Sequence, residues 1–135
     1  MAIGMMSYGP FGRLKWAVPF GSLNRLTASC WLRSFFDGDG DVHLSPAISK
    51  CRVRAKSVNL HGLESVKALL WSSFGIECKI YRTKKSANHH WSQAYELNII
   101  RIESLLKYEK LVGFNHPAKR RKLRQVVEAI ERNHG

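Results

Sequence analysis

The chain is 135 residues long, the size of one ordinary domain, and its 44% hydrophobic and 10% aromatic content excludes disorder as an overall description. Twenty-two Lys and Arg against ten Asp and Glu give a net charge of +12, so a polyanion is the expected partner, either nucleic acid or an anionic membrane surface. No run approaches the ~18 apolar residues that span a bilayer, MAIGMMSYGPFGRLKW lacks the features of a secretory signal, and three scattered cysteines without a CxxC exclude a disulfide framework or a zinc knuckle. The expectation is an unsecreted intracellular protein with no membrane-spanning segment, and nucleic acid rather than a membrane is taken as its partner.

Residues 1–22 hold Gly4, Gly9, Pro10, Gly12, Pro19 and Gly21, too many breakers for a regular element, and read as an irregular arm ahead of a single domain over 23–135. From Asn24 to Phe36 the residues Leu26, Trp31, Leu32, Phe35 and Phe36 recur at helical spacing, and Gly38 with Gly40 supplies a stop signal. Thr27, Cys30, Ser34 and Asp37 form a stripe of small or short residues at the seam spacing of a packed helix pair. That seam packs the helix either onto its own sheet or onto the same helix of a second copy, which would bring two copies of Asp39 close to a two-fold axis. Asp41–Ser45 alternates, Pro46 interrupts, and Ile48–Val58 alternates again, which predicts a hairpin. Leu60–Phe74 carries a 3.6-residue apolar stripe ended by Gly75. Residues 76–83 and 90–100 predict a second hairpin around a polar turn at 84–88, Ile102–Val112 a helix closed by Gly113, and Asn115-His116-Pro117 the start of a basic helix to about Arg132. The order predicts an α+β fold, an antiparallel four-stranded sheet with helices on one face and the other face open to a partner.

Charge is unevenly placed. Residues 1–36, 46–60, 81–90 and 111–135 carry +4, +4, +3 and +4, whereas 37–45 carry −3, all from Asp37, Asp39 and Asp41. Carboxylates at the C-terminal end of a helix are disfavoured by its dipole by roughly 0.3–1 kcal/mol each, so helix stability does not explain them. Carboxylate and main-chain oxygens are the hard ligands that Mg²⁺ and Ca²⁺ prefer, and glycines allow the backbone to turn a carbonyl toward an ion. An EF-hand loop fails, since it would need Gly and Glu where Val42 and Ile48 stand. In the second strand Lys50, Arg52, Arg54 and Lys56 alternate onto one face as a cationic strip about 20 Å long at roughly 3.3 Å per residue, suited to phosphates and groove edges. Its bland alternative is an edge strand guarded by lysines. His43, His89, His90 and His116 lack metal-ligand spacing, and the four tryptophans read mainly as core or interface anchors.

The stretch LRSFFDGDG, Leu32–Gly40, resembles the defining motif of the LAGLIDADG homing endonucleases. VNLHGLESVKALLWSSFGI resembles the family's second strand and following helix, and LVGFNHPAKRRKL its closing helix junction, so that the likeness covers residues 24–132. The resemblance implies an α-β-β-α-β-β-α fold whose saddle-shaped sheet sits in the major groove, and a site-specific, double-strand DNA endonuclease. One motif in the chain implies a homodimer, with Thr27, Cys30, Ser34 and Asp37 at its interface. It implies Asp39 as the metal-binding catalytic carboxylate, a Gly38 carbonyl on the same ions, and Asn59 as a residue ordering water. The ion would be Mg²⁺, with Mn²⁺ or Ca²⁺ substituting in binding, and no small-molecule cofactor. DNA contacts would come from Lys50, Arg52, Arg54 and Lys56 and from Lys79, Tyr81, Arg82, Lys84 and Lys85. Two departures stand out. The motif's usual Ala-Gly is Arg33-Ser34, and the lysine near the end of the fourth strand is replaced by Ile100, which leaves the adjacent Arg101 as the basic partner. The rival readings are a non-cleaving relative such as an RNA maturase, a general polyanion binder, and one half of a larger two-motif or intein enzyme.

Overall fold

The computed structural model describes residues 16–83 and 93–134. Eight regular elements follow in order: α1 (Arg25–Asp39), β1 (Gly40–His43), β2 (Arg52–Ser57), α2 (Leu60–Phe74), β3 (Lys79–Arg82), β4 (Tyr95–Ile99), α3 (Ile102–Leu111) and α4 (Pro117–His134), with 3₁₀ turns at Phe20–Ser22 and Ile48–Lys50. The strands form one antiparallel sheet in the order β1-β2-β4-β3, the α+β arrangement expected from the sequence.

Register fixes the two faces. Val42, Val53, Ala55, Leu97 and Ile99 pair across the sheet on the side that the helices cover and are buried. The alternate residues place Asp41 opposite Arg54, Arg54 opposite Asn98, and Asn98 opposite Lys79, one row across all four strands on the open face. Over the covered face α1 lays down Ala28, Trp31, Leu32, Phe35 and Phe36, and α2 Leu63, Val66, Leu69 and Leu70. An aromatic chain from Trp16 through Trp31, Phe35, Phe36 and Tyr108 to Phe114 links the segment before α1 and α1 itself to α3 and the turn after it, with ring centroids 5.1–6.5 Å apart. Trp71 is not a core anchor, at 64% exposed on α2.

The helix ends carry the signals that the sequence advertises. Asn24 and Thr27 close a reciprocal capping box at the start of α1, with Thr27 N donating to Asn24 Oδ1 at 2.9 Å and Asn24 N to Thr27 Oγ1 at 2.8 Å. Gly75 and Gly113 take φ of 66° and 71° just past α2 and α3, the left-handed positions that glycine fills without strain.

Several boundaries depart from expectation, and β1, ending at His43 rather than Ser45, and β4, starting at Tyr95 rather than 90, are shorter than expected. The helix does not stop at Gly38: α1 runs through Asp39, so the acidic motif is a last helical turn rather than a loop, and neither Gly38 nor Gly40 has a positive φ. β2 starts at Arg52 instead of Ile48. The preceding residues bond locally, Lys50 N to Ala47 O at 2.9 Å and Cys51 N to Ile48 O at 3.0 Å, which removes Lys50 from the strand. β3 starts at Lys79 rather than 76, since Glu77 N donates to the Ser104 hydroxyl at 3.0 Å instead of joining a ladder. The last stretch of the arm is also not peripheral: Trp16 and Val18 are buried in the core, and Val18 N donates to Ser65 Oγ at 3.0 Å.

Candidate active site and nucleic-acid interface

The passage from α1 directly into β1 builds the site. A Cβ on Gly40 would lie 2.7 Å from Phe36 Cδ1 and 2.8 Å from Phe36 O, so only glycine lets the strand leave the helix at this angle. Asp39 is thereby set beside the hairpin, in a shallow cleft of about 190 Å³ lined by Gly38, Asp39, Gly40, Asp41, Arg54, Ala55 and Lys56. The acid singled out by its motif and two cations singled out by strand alternation share this cleft, though they are 15 and 17 residues apart in sequence.

The three acids of the motif do different things. The Asp37 carboxylate accepts from Asn115 N at 2.9 and 3.3 Å and from His116 N at 3.1 Å, and so holds the backbone entering α4. In return, Lys119 of α4 donates Nζ to Asp37 O at 2.6 Å and Phe36 O at 3.4 Å, covering carbonyls at the negative end of α1. Asp41 forms a bidentate ion pair with Arg54, at 2.7 and 3.2 Å. Hydrogen bonding to Asp41 raises the Arg54 pKa above its ordinary value, against a smaller opposing effect of burial. Asp39 itself is exposed at the cleft.

The metal-ligating side chains in the cleft's lining, Asp39 and Asp41, offer carboxylate oxygens, which in kind suit a hard divalent cation, although Asp41 is engaged by Arg54. In number one protomer falls short of the six or so ligands that Mg²⁺ or Ca²⁺ takes, and among the described residues no three His, Cys, Asp or Glu side chains converge on a metal position. A bound ion would complete its shell from water, from phosphate oxygens or from a second copy of Asp39.

On the open face stand Arg52, Arg54 and Lys56 of β2 with Lys79 and Tyr81 of β3. The strip is shorter and less free than alternation suggested. Lys50 sits in the 3₁₀ turn, Arg54 is held by Asp41, and Lys56 lies 3.7 Å from Glu96. Arg52 rests on the buried Asn98 amide at 3.5 Å. Lys56 keeps its side chain 65% exposed and borders the Asp39 cleft, which makes it the most available cation there. Arg82 alternates onto the other side of β3 and lines a separate cleft with Leu60, Glu64, Lys67, Ile80 and Tyr95. Lys84 and Lys85 fall outside the described residues, as do His89, His90 and Trp91.

Two residues expected at the reaction centre have other engagements. Asn59 is 5% exposed, caps α2 by accepting from Gly62 N at 2.9 Å, and donates to Trp16 O at 2.5 Å, so its amide ties the arm to the core. Arg101 precedes α3, pairs with Glu77 at 3.0 Å, and lines a cleft with Lys79, Tyr81 and Asn98 that shares no residue with that of Asp39. The small-residue seam is rotated as well. Thr27 is spent in the capping box and Asp37 on α4, and the outward ridge of α1 is Leu26, Cys30, Ser34 and Gly38, with Leu26 74% exposed. Arg33 leaves that ridge clear by turning inward, donating Nε to Val112 O at 2.8 Å.

Asp41, Lys56 and Lys119 gained roles that sequence reasoning had not given them. A hairpin folded symmetrically about residues 47 and 48 puts 41 opposite 54, so the Asp41–Arg54 pair was readable from the two strands. Lys119 had no such signal.

A sequence model of the LAGLIDADG-like domain family matches residues 28–113. A probable translation initiation factor IF-2 of Methanocaldococcus jannaschii is 31% identical over 98 residues, which make up 73% of this chain and 8% of that protein.

Proposed function

The chain belongs to the LAGLIDADG family, whose members are homing endonucleases and related nucleic-acid-binding proteins, and from that premise we propose that it is a site-specific double-strand DNA endonuclease, dependent on a divalent cation and active as a homodimer. The observation that carries this reading is the shared cleft of Asp39, Arg54 and Lys56 at the border of the open sheet face.

In this reading the open face lies along the duplex, with Arg52, Lys79 and Tyr81 toward the groove and Lys56 on a phosphate. Asp39 and the Gly38 carbonyl would hold the cation, Mg²⁺. The chemistry supplied there is a lowered water pKa and neutralisation of charge on the scissile phosphate. Arg54 fixes Asp41, which keeps the neighbouring carboxylate from competing for the ion. Lys56 takes the place proposed from sequence for Arg101 as the basic group facing the phosphate.

Gly38 supports the dimer. Glycine inside a helix costs roughly 0.5–1 kcal/mol relative to alanine, yet among the described residues nothing beyond its own helical backbone and chain neighbours lies within 4 Å of where its Cβ would be. Its smallness serves no packing contact among the described residues and suits the close approach of a second α1. The similarity to 8% of a translation initiation factor fits a unit carried within a longer host protein, and an intron or intein setting is the genomic context we propose.

The test is cleavage of DNA containing the candidate insertion site, with magnesium, by wild type, Asp39→Asn, Lys56→Met and Arg101→Met. Asp39→Asn is expected to abolish cutting while binding is kept or tightened, Lys56→Met to lower the rate, and Arg101→Met to leave it near wild type. Cutting by Asp39→Asn at the wild-type rate would refute the assignment. The non-cleaving alternative is favoured by the loss of the family's lysine at Ile100. It predicts metal-independent binding of nucleic acid and no cutting by wild type.

A further inference from the structure

The basic start of α4 is not used by the proposed nuclease site, and it borders a cleft of its own. This cleft, about 260 Å³, is lined by Arg33 of α1, by Glu109 and Lys110 of α3, by the turn through Gly113 and Asn115, and by Arg120 of α4, and its exposed lining is mostly polar. None of its residues belongs to a strand or to the Asp39 cleft. We propose that it is a second anion site, on the helical layer, that takes a phosphate group of a nucleic-acid strand.

Arg33 is the anchor. It is half-buried, its Nε is fixed on Val112 O at 2.8 Å and its Nη2 rests on Ser29 Oγ at 3.5 Å, which leaves further N–H donors of the guanidinium uncommitted among the described residues. A guanidinium held in place by packing loses little freedom on binding, and its planar fork matches phosphate oxygens. Lys110 and Arg120 are exposed and have no carboxylate partner among the described residues. The one acid in the lining, Glu109, is paired with Arg124 at 3.2 Å, so the cleft stays net positive. Arg121 and Lys122 continue the charge along α4, likewise without a carboxylate partner among the described residues. That continuation favours a strand of linked phosphates over a single free anion. The site does not depend on the nuclease reading.

The test uses the full chain, its Lys110→Ser/Arg120→Ser variant, and an Arg52→Ala/Lys79→Ala variant altered only on the sheet. Inorganic phosphate, titrated against chloride at matched ionic strength, is expected to shift the amide resonances of Gly113 and Asn115, and the helical-layer variant to weaken its binding about tenfold. A fluorescent single-stranded oligonucleotide is expected to lose affinity in the helical-layer variant and to keep part of it in the sheet variant. Phosphate binding lost in the helical-layer variant, with oligonucleotide binding following the sheet variant alone, would keep the anion site and refute its nucleic-acid source. Phosphate shifts elsewhere, or wild-type phosphate affinity in the helical-layer variant, would overturn the proposal.

Discussion

Under the proposed function two aspartates two residues apart, Asp37 and Asp39, have separable jobs, and Asp37→Ala tests the separation. The substitution strips the carboxylate from Asn115 N and His116 N, bonds of 2.9–3.3 Å that start α4. Loss of a capping side chain costs roughly 0.5–2 kcal/mol, and loss of a negative charge beside a helix N-terminus a further ~0.3–1 kcal/mol. The site is partly solvated, so about 2 kcal/mol in all is the appropriate figure. With an unfolding entropy of roughly 2.1 cal/mol/K per residue, a chain of 135 residues loses about 7 °C in melting temperature. Asp37→Asn keeps an acceptor oxygen and should lose about half as much. Thermal unfolding by circular dichroism reads the shift, and cleavage assayed well below the melting temperature reads the chemistry. Asp37→Ala should melt early and cut, whereas Asp39→Asn should melt near wild type and not cut. An unchanged melting temperature with abolished cutting in Asp37→Ala would show that the two roles are assigned the wrong way round.

The other predictions use the same contrast between protomer and function. Gly40→Ala should destabilise the fold by roughly 1–3 kcal/mol in urea titration, because its Cβ meets Phe36 at 2.7 Å. Gly38→Ala should instead leave the protomer as stable or more stable by up to ~1 kcal/mol, and weaken self-association in sedimentation if α1 is the dimer seam. Asn59→Ala should cost about 1–2 kcal/mol through its cap and its bond to Trp16, with the cutting rate of the folded fraction unchanged. Among the thiols, exposed Cys30 should react first with Ellman's reagent, and reaction should slow at protein concentrations where a dimer covers the ridge. Burial pushes the Cys78 thiol up from 9.0 to about 12, so the native state keeps a proton that the unfolded chain has released. Its contribution to stability should therefore be full below pH ~9 and fall by up to ~1.4 kcal/mol per pH unit from there toward about 12; Cys78→Ala removes that part and leaves the loss that buried Tyr108, its phenol likewise pushed up, adds above pH ~10.

The sequence disclosed most of what a local period or a terminal signal encodes, though α1 runs past Gly38 and a local 3₁₀ turn takes Lys50 out of β2. The helical stripes, Asn24 at one helix start, Gly75 and Gly113 at two helix ends, and the alternation of β2 all reappear in the fold. It failed where a residue's fate is set by something distant in the chain. Asp37 looks like a seam residue until α4, 78 residues on, presents the N–H groups it holds. Asn59 matches a position of the motif family, but a helix start needing a cap and a Trp16 carbonyl needing a donor claim its amide first. Arg101 sits next to the expected lysine position, and the short β3 leaves Glu77 within 3.0 Å to claim it. Lys56, by contrast, has only a loose contact at 3.7 Å and stays available beside Asp39. An ionisable side chain that is already satisfied inside the protomer has less to gain from a substrate, since binding must break what it has. That principle ranks the cations on this protein by their engagement rather than by their position in the motif. Under the proposed function it places Lys56 above both Arg54 and Arg101 as the group that would meet the phosphate, and the cleavage rates of Lys56→Met and Arg101→Met decide between the two rankings.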